Sequence, residues 1–358
     1  MAASRFVGFV VIAIVLSLGT GTASLAQGAP AGLKVDPHYH VTVFAQSGGQ
    51  YSAPDSIAVL HNHIFIGYGN NNAPDGSDGK SSNIVEYTRT GQVIHIYTVV
   101  GHNDGLKVNP STHELWAMQN EDANPNLVII NPITHAQNVY TFGPTLHGGG
   151  YDDIVFLNGA AYFSASNPAN NPNTAPAIVK AAFSGSMIDV SPLMDANAQA
   201  TDVVTSQTVT LNLQDPDSMT LDPHGNILLD SQADAELLLV RHPGSASQSV
   251  LEIPLTSPFG SAQADDTLFV PNSDGFILVS DTPANVVYEI HKGAFTPGSA
   301  YTAAVGGTTG FVGRLDLEWG QLTPIVTGMQ SPHGMGYVPT GGADDEDDDR
   351  GRSCDAQE

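Results

Sequence analysis

Residues 216–229 read Pro216-Asp217-Ser218-Met219-Thr220-Leu221-Asp222-Pro223-His224-Gly225-Asn226-Ile227-Leu228-Leu229: a turn, a short run, a second turn and an apolar run. Versions of its opening recur at Pro54-Asp55-Ser56-Ile57, Asn103-Asp104-Gly105-Leu106, Tyr151-Asp152-Asp153-Ile154, Asp265-Asp266-Thr267-Leu268 and Pro332-His333-Gly334-Met335. Aligned on the apolar residue that closes each opening, the position two before it holds Asp55, Asp104, Asp152, Asp217, Asp266 and His333. A supersecondary unit repeated along a chain decides the architecture before any single motif does. The register spacings are 49, 48, 65, 49 and 67 residues. Three of these match a four-stranded propeller blade, and the two long ones leave room for insertions.

Within each unit the apolar residues alternate or run for a few positions and are then broken by Gly, Pro, Asn or Asp, which is strand and turn chemistry. The expected fold is therefore all-β, a six-bladed β-propeller, with five or seven blades left open. The count is open because only one strand follows the last opening. On this reading the sixth blade is assembled from the hairpin at 311–326, the terminal strand at Pro332 and the amino-terminal strand Val41-Thr42-Val43-Phe44-Ala45, which closes the ring. The stretch 184–208, rich in Asp, Ala, Ser and Thr, reads as an extra segment of the third unit.

The chain divides into residues 1–26, a propeller over 27–340, and a tail over 341–358. The first stretch has Arg5 as its only charge, an apolar run from Phe6 to Leu18, and small residues in Ser24-Leu25-Ala26, the pattern of a cleaved signal peptide rather than a membrane anchor. A secreted or periplasmic protein without stable membrane insertion is expected. The single Cys354 lies in the tail, so neither an intrachain disulfide nor a cysteine-based site is available. Asp and Glu number 36 against 11 Lys and Arg, a formal net charge of −25, and the tail carries six of those negative charges net. Nucleic acid is excluded as a partner, since its recognition relies on basic surface. A small-molecule ligand or substrate, or a protein partner, remains.

In a closed propeller the inner strands all begin at one end of the central channel, so the aligned side chains converge there. Carboxylates crowded together need a cation, protonation or hydrogen bonds, because like charges raise one another's pKa. Asp55, Asp104, Asp152, Asp217, Asp266 and His333 are thus the candidate metal ligands. Hard oxygen donors favour Ca²⁺ first, with Mn²⁺ as an alternative, and His333 admits Zn²⁺. His102 and His147 precede the second and third openings and are candidate general bases beside Asp217. The loop 70–79, which groups amide and carboxylate side chains, lacks the spacing of a calcium-binding loop and reads as a solvated turn. No Gly-x-Ser-x-Gly elbow is present.

The segment from Pro216 to Asn226 resembles the Pro-Asp-Gly-apolar, Asp-x-x-Gly-Asn segment of the gluconolactonase and regucalcin group, and Ser331-Pro332-His333-Gly334-Met335 is similar to the turn that opens NHL-type repeats. The resemblance implies a six-bladed propeller with a divalent metal on its axis, held by a Glu and by Asn and Asp residues at the starts of inner strands. It places Asp217 on the family's ligand and base. It places Asp55 where a Glu one methylene longer stands, and Asp152 or Asp104 where an Asn stands. The activity implied is metal-dependent hydrolysis of a lactone or similar ester. The alternative is a non-catalytic propeller that binds a ligand or protein, since this fold hosts many functions.

Overall fold

The computed structural model describes residues 30–340 and contains no helix among them. Six four-stranded blades surround a central axis. Their inner strands, Pro54–Leu60, Asn103–Val108, Ile154–Leu157, Pro216–Leu221, Gly260–Phe269 and Pro332–Pro339, follow one another around the ring, the last against the first. Residues 1–26, read as a signal peptide, and the acidic tail lie outside the described residues.

Each blade buries apolar side chains on both faces, so the core lies between blades rather than on the axis. Six clusters fill the six gaps. Ile57, Tyr68 and Val85 of blade one meet Phe276 and Val338 of blade six, for example, and Trp116 and Ile129 of blade two meet Ile154 and Phe163 of blade three. Burying such a side chain contributes about 1.5–3 kcal/mol. With cohesion located there, the axis is free to carry polar groups.

Blades one to four run outward in chain order, each strand antiparallel to the one before it. The segment read as an insertion in the third unit instead supplies that blade's fourth strand, Met187–Asp195, which also pairs in parallel with Gln137–Phe142 of blade two. The hairpin Gln199–Asp202 and Thr208–Thr210 then extends the outer edge of blade four, which accounts for the long spacing there.

Blades five and six exchange strands, and this corrects the expected composition of blade six. After the inner strand Gly260–Phe269 of blade five, the chain passes to blade six for Gly275–Asp281 and Val286–Lys292. It then returns to blade five for Ala300–Gly306, Thr309–Asp316 and Gln321–Met329. The hairpin at 311–326 therefore belongs to blade five. The terminal strand Pro332–Pro339 is the inner strand of blade six, and Tyr39–Gln46 closes that blade's outer edge, as expected for the amino-terminal strand. The two crossings are tied together: Val270 N donates to Ser299 O at 2.9 Å and Gly298 N to Val270 O at 2.8 Å. Phe295 is buried beside them against Tyr39, Tyr301 and Tyr337. Satisfied backbone and an aromatic wedge let the chain leave its own blade and come back without exposing unpaired groups.

Most inner strands open with a register shift, seen between Pro54 and Ile57, Asn103 and Leu106, Pro216 and Met219, and Ala264 and Asp266. A bulge re-aims the side chains it contains. Here these are the acidic residues that reach the channel mouth. Neighbouring openings also approach closely, and a Cβ on Gly105 would lie 2.1 Å from the Asp152 carbonyl oxygen, while one on Gly334 would lie 2.5 Å from that of Asp55.

The exchange is open to a direct test. Thr42 and Glu289 face each other in register across the amino-terminal strand and the exchanged hairpin. In a Cys354→Ser background, Thr42→Cys with Glu289→Cys is expected to form an intrachain disulfide on mild oxidation, detected by mass. A cysteine at 42 that instead cross-links to one placed in 321–329 would contradict the exchange.

Candidate metal centre

The mouth of the channel is where the inner strands start. Two groups of metal-ligating side chains form there, each with its ligand atoms within 4.8 Å of one another: Asp55, Asp265 and His333, and His102, Asp104 and Glu121. Asp152, Asp215 and Asp217 stand close enough to both for their charges to be felt. Of the positions aligned in the sequence, Asp55, Asp104, Asp152, Asp217 and His333 are thus brought together.

Asp266 is not, and this is a correction. The ring position of blade five is Asp265, whose carboxylate lies 3.0 Å from His333 Nδ1. Alignment on Leu268 slipped by one because the residue equivalent to Ile57 and Met219 is Thr267. This threonine occupies a fully interior position by hydrogen bonding, its Oγ1 lying 2.9 Å from Asp230 Oδ2 and 3.0 Å from Thr302 Oγ1. Asp266 points one layer deeper and accepts the Met335 N–H at 2.7 Å. Its counterpart in blade three, Asp153, accepts the Met219 N–H at 2.8 Å and the Lys107 ammonium at 2.9 Å. These carboxylates clamp one blade's inner strand to the next.

Burial decides the ionisation of the mouth. Glu121, Asp152 and Asp217 are pushed well above the usual carboxylate range, first by burial and then by neighbouring carboxylates, Asp55 and Asp122 for Glu121, Glu121 and Asp153 for Asp152, and Asp152 and Asp265 for Asp217. Asp265 is raised to about 7 by burial, less than it would be without His333 beside it. Burial alone would lower His333, but Asp265 and Asp55 at 3.0 and 3.4 Å outweigh it and push it up to about 10, so it stands as an imidazolium. His102 goes the other way. Burial lowers it despite Asp55, leaving a neutral ring whose Nε2 is 3.9 Å from Glu121 Oε1. The first group thus carries its own cation. The second joins two carboxylates to a neutral imidazole, the protonation state a metal ligand requires.

The donor set fits a divalent cation. Asp55, Asp104, Glu121, Asp152, Asp215, Asp217 and Asp265 share the mouth with a single imidazolium among the described residues, an excess of carboxylate oxygens that one divalent ion reduces. His102, Asp104 and Glu121 are the residues that would hold it, with Asp55 and Asp152 facing them.

His147 stands apart. Its buried ring is engaged within its own loop, Nε2 lying 2.6 Å from the Gly150 carbonyl oxygen with Tyr151 packed against it. The loop at 70–79 is pinned by its own side chains, with Asn70 Nδ2 donating to Ser81 O and Asp78 accepting the Lys80 and Ala73 amides. Glu121 and Asp215 were missed in the sequence. Glu121 had a signal: antiparallel pairing brings the end of each second strand back to the start of the first, and Gln119 pairs with Asn103. The opposite end of the channel is different in kind, a cavity of about 340 Å³ walled by Ile57, Val59, Val108, Ile154, Phe156 and Leu221 with Lys107 at its inner end.

The pKa directions fix a pH dependence. Asp265 and Asp266, raised to about 7 and about 6 from an ordinary 3.8, hold protons in the folded state that the unfolded chain releases. Their contribution is fully present below 3.8 and is lost as pH rises through those values. His333, raised from 6.5 to about 10, has the same sign in a higher window. Without divalent cations, thermal stability is therefore expected to be greater at about pH 5 than at about pH 8. Ca²⁺ should raise the melting temperature more at the higher pH, because the ion binds deprotonated carboxylates. A profile that is flat, or that rises with pH in chelator, would contradict this reading of the mouth.

No family model matches the chain, and no curated protein does either. Among solved structures, a Bacteroides caccae protein of unknown function aligns over 80% of this chain and 86% of its own at 10% identity, TM-score 0.49. Virginiamycin B lyase from Staphylococcus aureus aligns over 84% of this chain and 89% of its own at 12% identity, TM-score 0.45. The periplasmic gluconolactonase of Pseudomonas aeruginosa aligns over 80% and 88% at 12% identity, TM-score 0.45. Likeness at this level extends to the fold and not to activity.

Proposed function

We propose that this protein is an exported hydrolase of lactones or similar small esters that depends on a divalent cation held at the channel mouth. The observation that carries the proposal is the excess of half-buried and buried carboxylates gathered there, with the ligand atoms of His102, Asp104 and Glu121 within 4.8 Å of one another. A bound divalent cation supplies the positive charge that polarises an ester carbonyl and acidifies water. Ca²⁺ suits the oxygen-rich set, and His102 admits Mn²⁺ or Zn²⁺.

The chain's own groups divide the remaining work. Asp217 lies among Asp152, Asp215 and Asp265, and burial with their charges raises its pKa, so a carboxylate held ionised beside a bound cation would be a strong base for the proton of an attacking water. Asp55 neutralises His333 on one side of the mouth and raises the pKa of His102 on the other, so it links the two groups electrostatically. The acidic mouth favours neutral or cationic substrates, in keeping with a small molecule rather than nucleic acid.

Hydrolysis of a panel of lactones and carboxylic esters should be lost on dialysis against a chelator and restored by a divalent ion. Asp217→Asn is expected to lower kcat by about 10²- to 10⁴-fold while cation binding persists. Turnover unchanged by the chelator, or by Asp217→Asn, would overturn the proposal.

A further inference from the structure

The cavity at the far end of the channel shares no residue with the candidate cation site. Its volume of about 340 Å³ lies within the range of small-ligand sites. Inner strands of five blades wall it, with Ile57, Val108, Ile154, Leu221 and Tyr337 as one contribution from each. The apolar wall ends inward on a pair of charges. Lys107 holds Asp153 Oδ2 at 2.9 Å, and 27% of the lysine side chain's surface stays accessible beside the cavity that it lines. An ammonium has three donors, and Asp153 takes one of them. The other oxygen of that carboxylate, Oδ1, is buried with no hydrogen-bond partner among the described residues, on a side chain only 2% exposed. Groups buried in this way are rarely left unmet. Unused donors and an unused acceptor thus belong to one ion pair at the inner end of an apolar cavity.

We propose that this cavity binds an uncharged amphiphile, an apolar chain with one terminal hydroxyl, seated with the hydroxyl on Lys107 and Asp153. A hydroxyl meets both needs at once, since its oxygen accepts from the ammonium and its hydrogen goes to Asp153 Oδ1. Charge selects against the ionic alternatives. The Lys107–Asp153 pair is neutral as a unit, and Asp266 and Asp230 are near enough for Lys107 to feel their charge. A carboxylate entering the cavity therefore meets no net attraction and leaves its own solvation behind. An alkylammonium would meet Lys107 itself. An ether or a ketone accepts from Lys107 but has no hydrogen for Oδ1. The ligand's chain replaces water along Ile57, Val108, Ile154 and Leu221, and burial of apolar surface there supplies most of the affinity. The site does not depend on the reaction proposed for the mouth and would stand if that reading failed.

The test titrates the full chain with 1-octanol, its isomer 1-methoxyheptane and octanoate, probes alike in chain and different at one end, while NMR follows the isoleucine, leucine and valine methyl signals. 1-Octanol is expected to shift the methyls of Ile57, Val108, Ile154 and Leu221 saturably. The ether and octanoate should bind about 10-fold more weakly or worse, the cost of a hydrogen bond to a charged group left unmade. Val59→Phe fills the cavity and leaves Lys107 and Asp153 in place, and it should weaken 1-octanol by about 10-fold or more. Lys107→Met combined with Asp153→Asn removes both charges without stranding one, and Asn keeps an oxygen for the Met219 amide. That double variant should cut the preference for the alcohol over the ether to about 3-fold or less. Octanoate or the ether binding as tightly as 1-octanol, a preference that survives the double variant, or shifts confined to methyls that do not line the cavity would each overturn the site. So would the absence of any shift in the folded wild type with all three probes.

Discussion

Seven carboxylates converge on one end of a narrow channel with one imidazolium to balance them, and most of the design can be read as a consequence of that crowding. Buried like charges raise one another's pKa and repel, so a fold that gathers them must draw its stability from elsewhere. In this chain it comes from six apolar clusters between blades. Cohesion is distributed around the ring, and the axis can hold groups whose net contribution without a cation is unfavourable. The bulges aim the acidic side chains at the mouth, and Gly105 and Gly334, lacking a Cβ, let neighbouring inner strands approach closely there.

The axis is layered. At the mouth, negative charge is in excess. One residue deeper, Asp153 and Asp266 turn inward, each fixed by an amide of the next blade, and Lys107 pairs with Asp153. Beyond that the channel wall is mostly aliphatic and aromatic, with Lys107, Thr220 and Tyr337 among its lining residues. The deeper carboxylates fasten blade to blade by accepting amides of the next blade, whereas those of the mouth chiefly crowd one another, and that contrast separates a structural set of carboxylates from the set the proposed function uses. Within the mouth the two histidines differ for the same reason. His333 has two carboxylates in contact and keeps its proton, while His102 has none closer than 3.9 Å and loses it.

Much of this was legible in the sequence. The segment at 216–229 and its five relatives placed the inner strands, the fold and five of the converging residues, Asp55, Asp104, Asp152, Asp217 and His333, because a turn that must open every blade leaves the same residues each time. The amino-terminal strand as ring closure was legible too. The exchange between blades five and six was not, since Gly275–Asp281 and Val286–Lys292 carry the alternating pattern of any middle hairpin and strand order is not encoded in such a pattern. Asp265 was mistaken for a neighbour of the ring because Thr267 fills an apolar position through two hydrogen bonds.

The most direct test of the central claim, that the mouth is built around a missing positive charge, is calorimetric titration of the chelator-treated protein with Ca²⁺, Mn²⁺ and Zn²⁺. The account predicts uptake of about one equivalent of at least one of these ions, abolished by Asp104→Asn combined with Glu121→Gln while the fold persists. Binding of none of them by the folded wild type, or unchanged binding in the double variant, would contradict it.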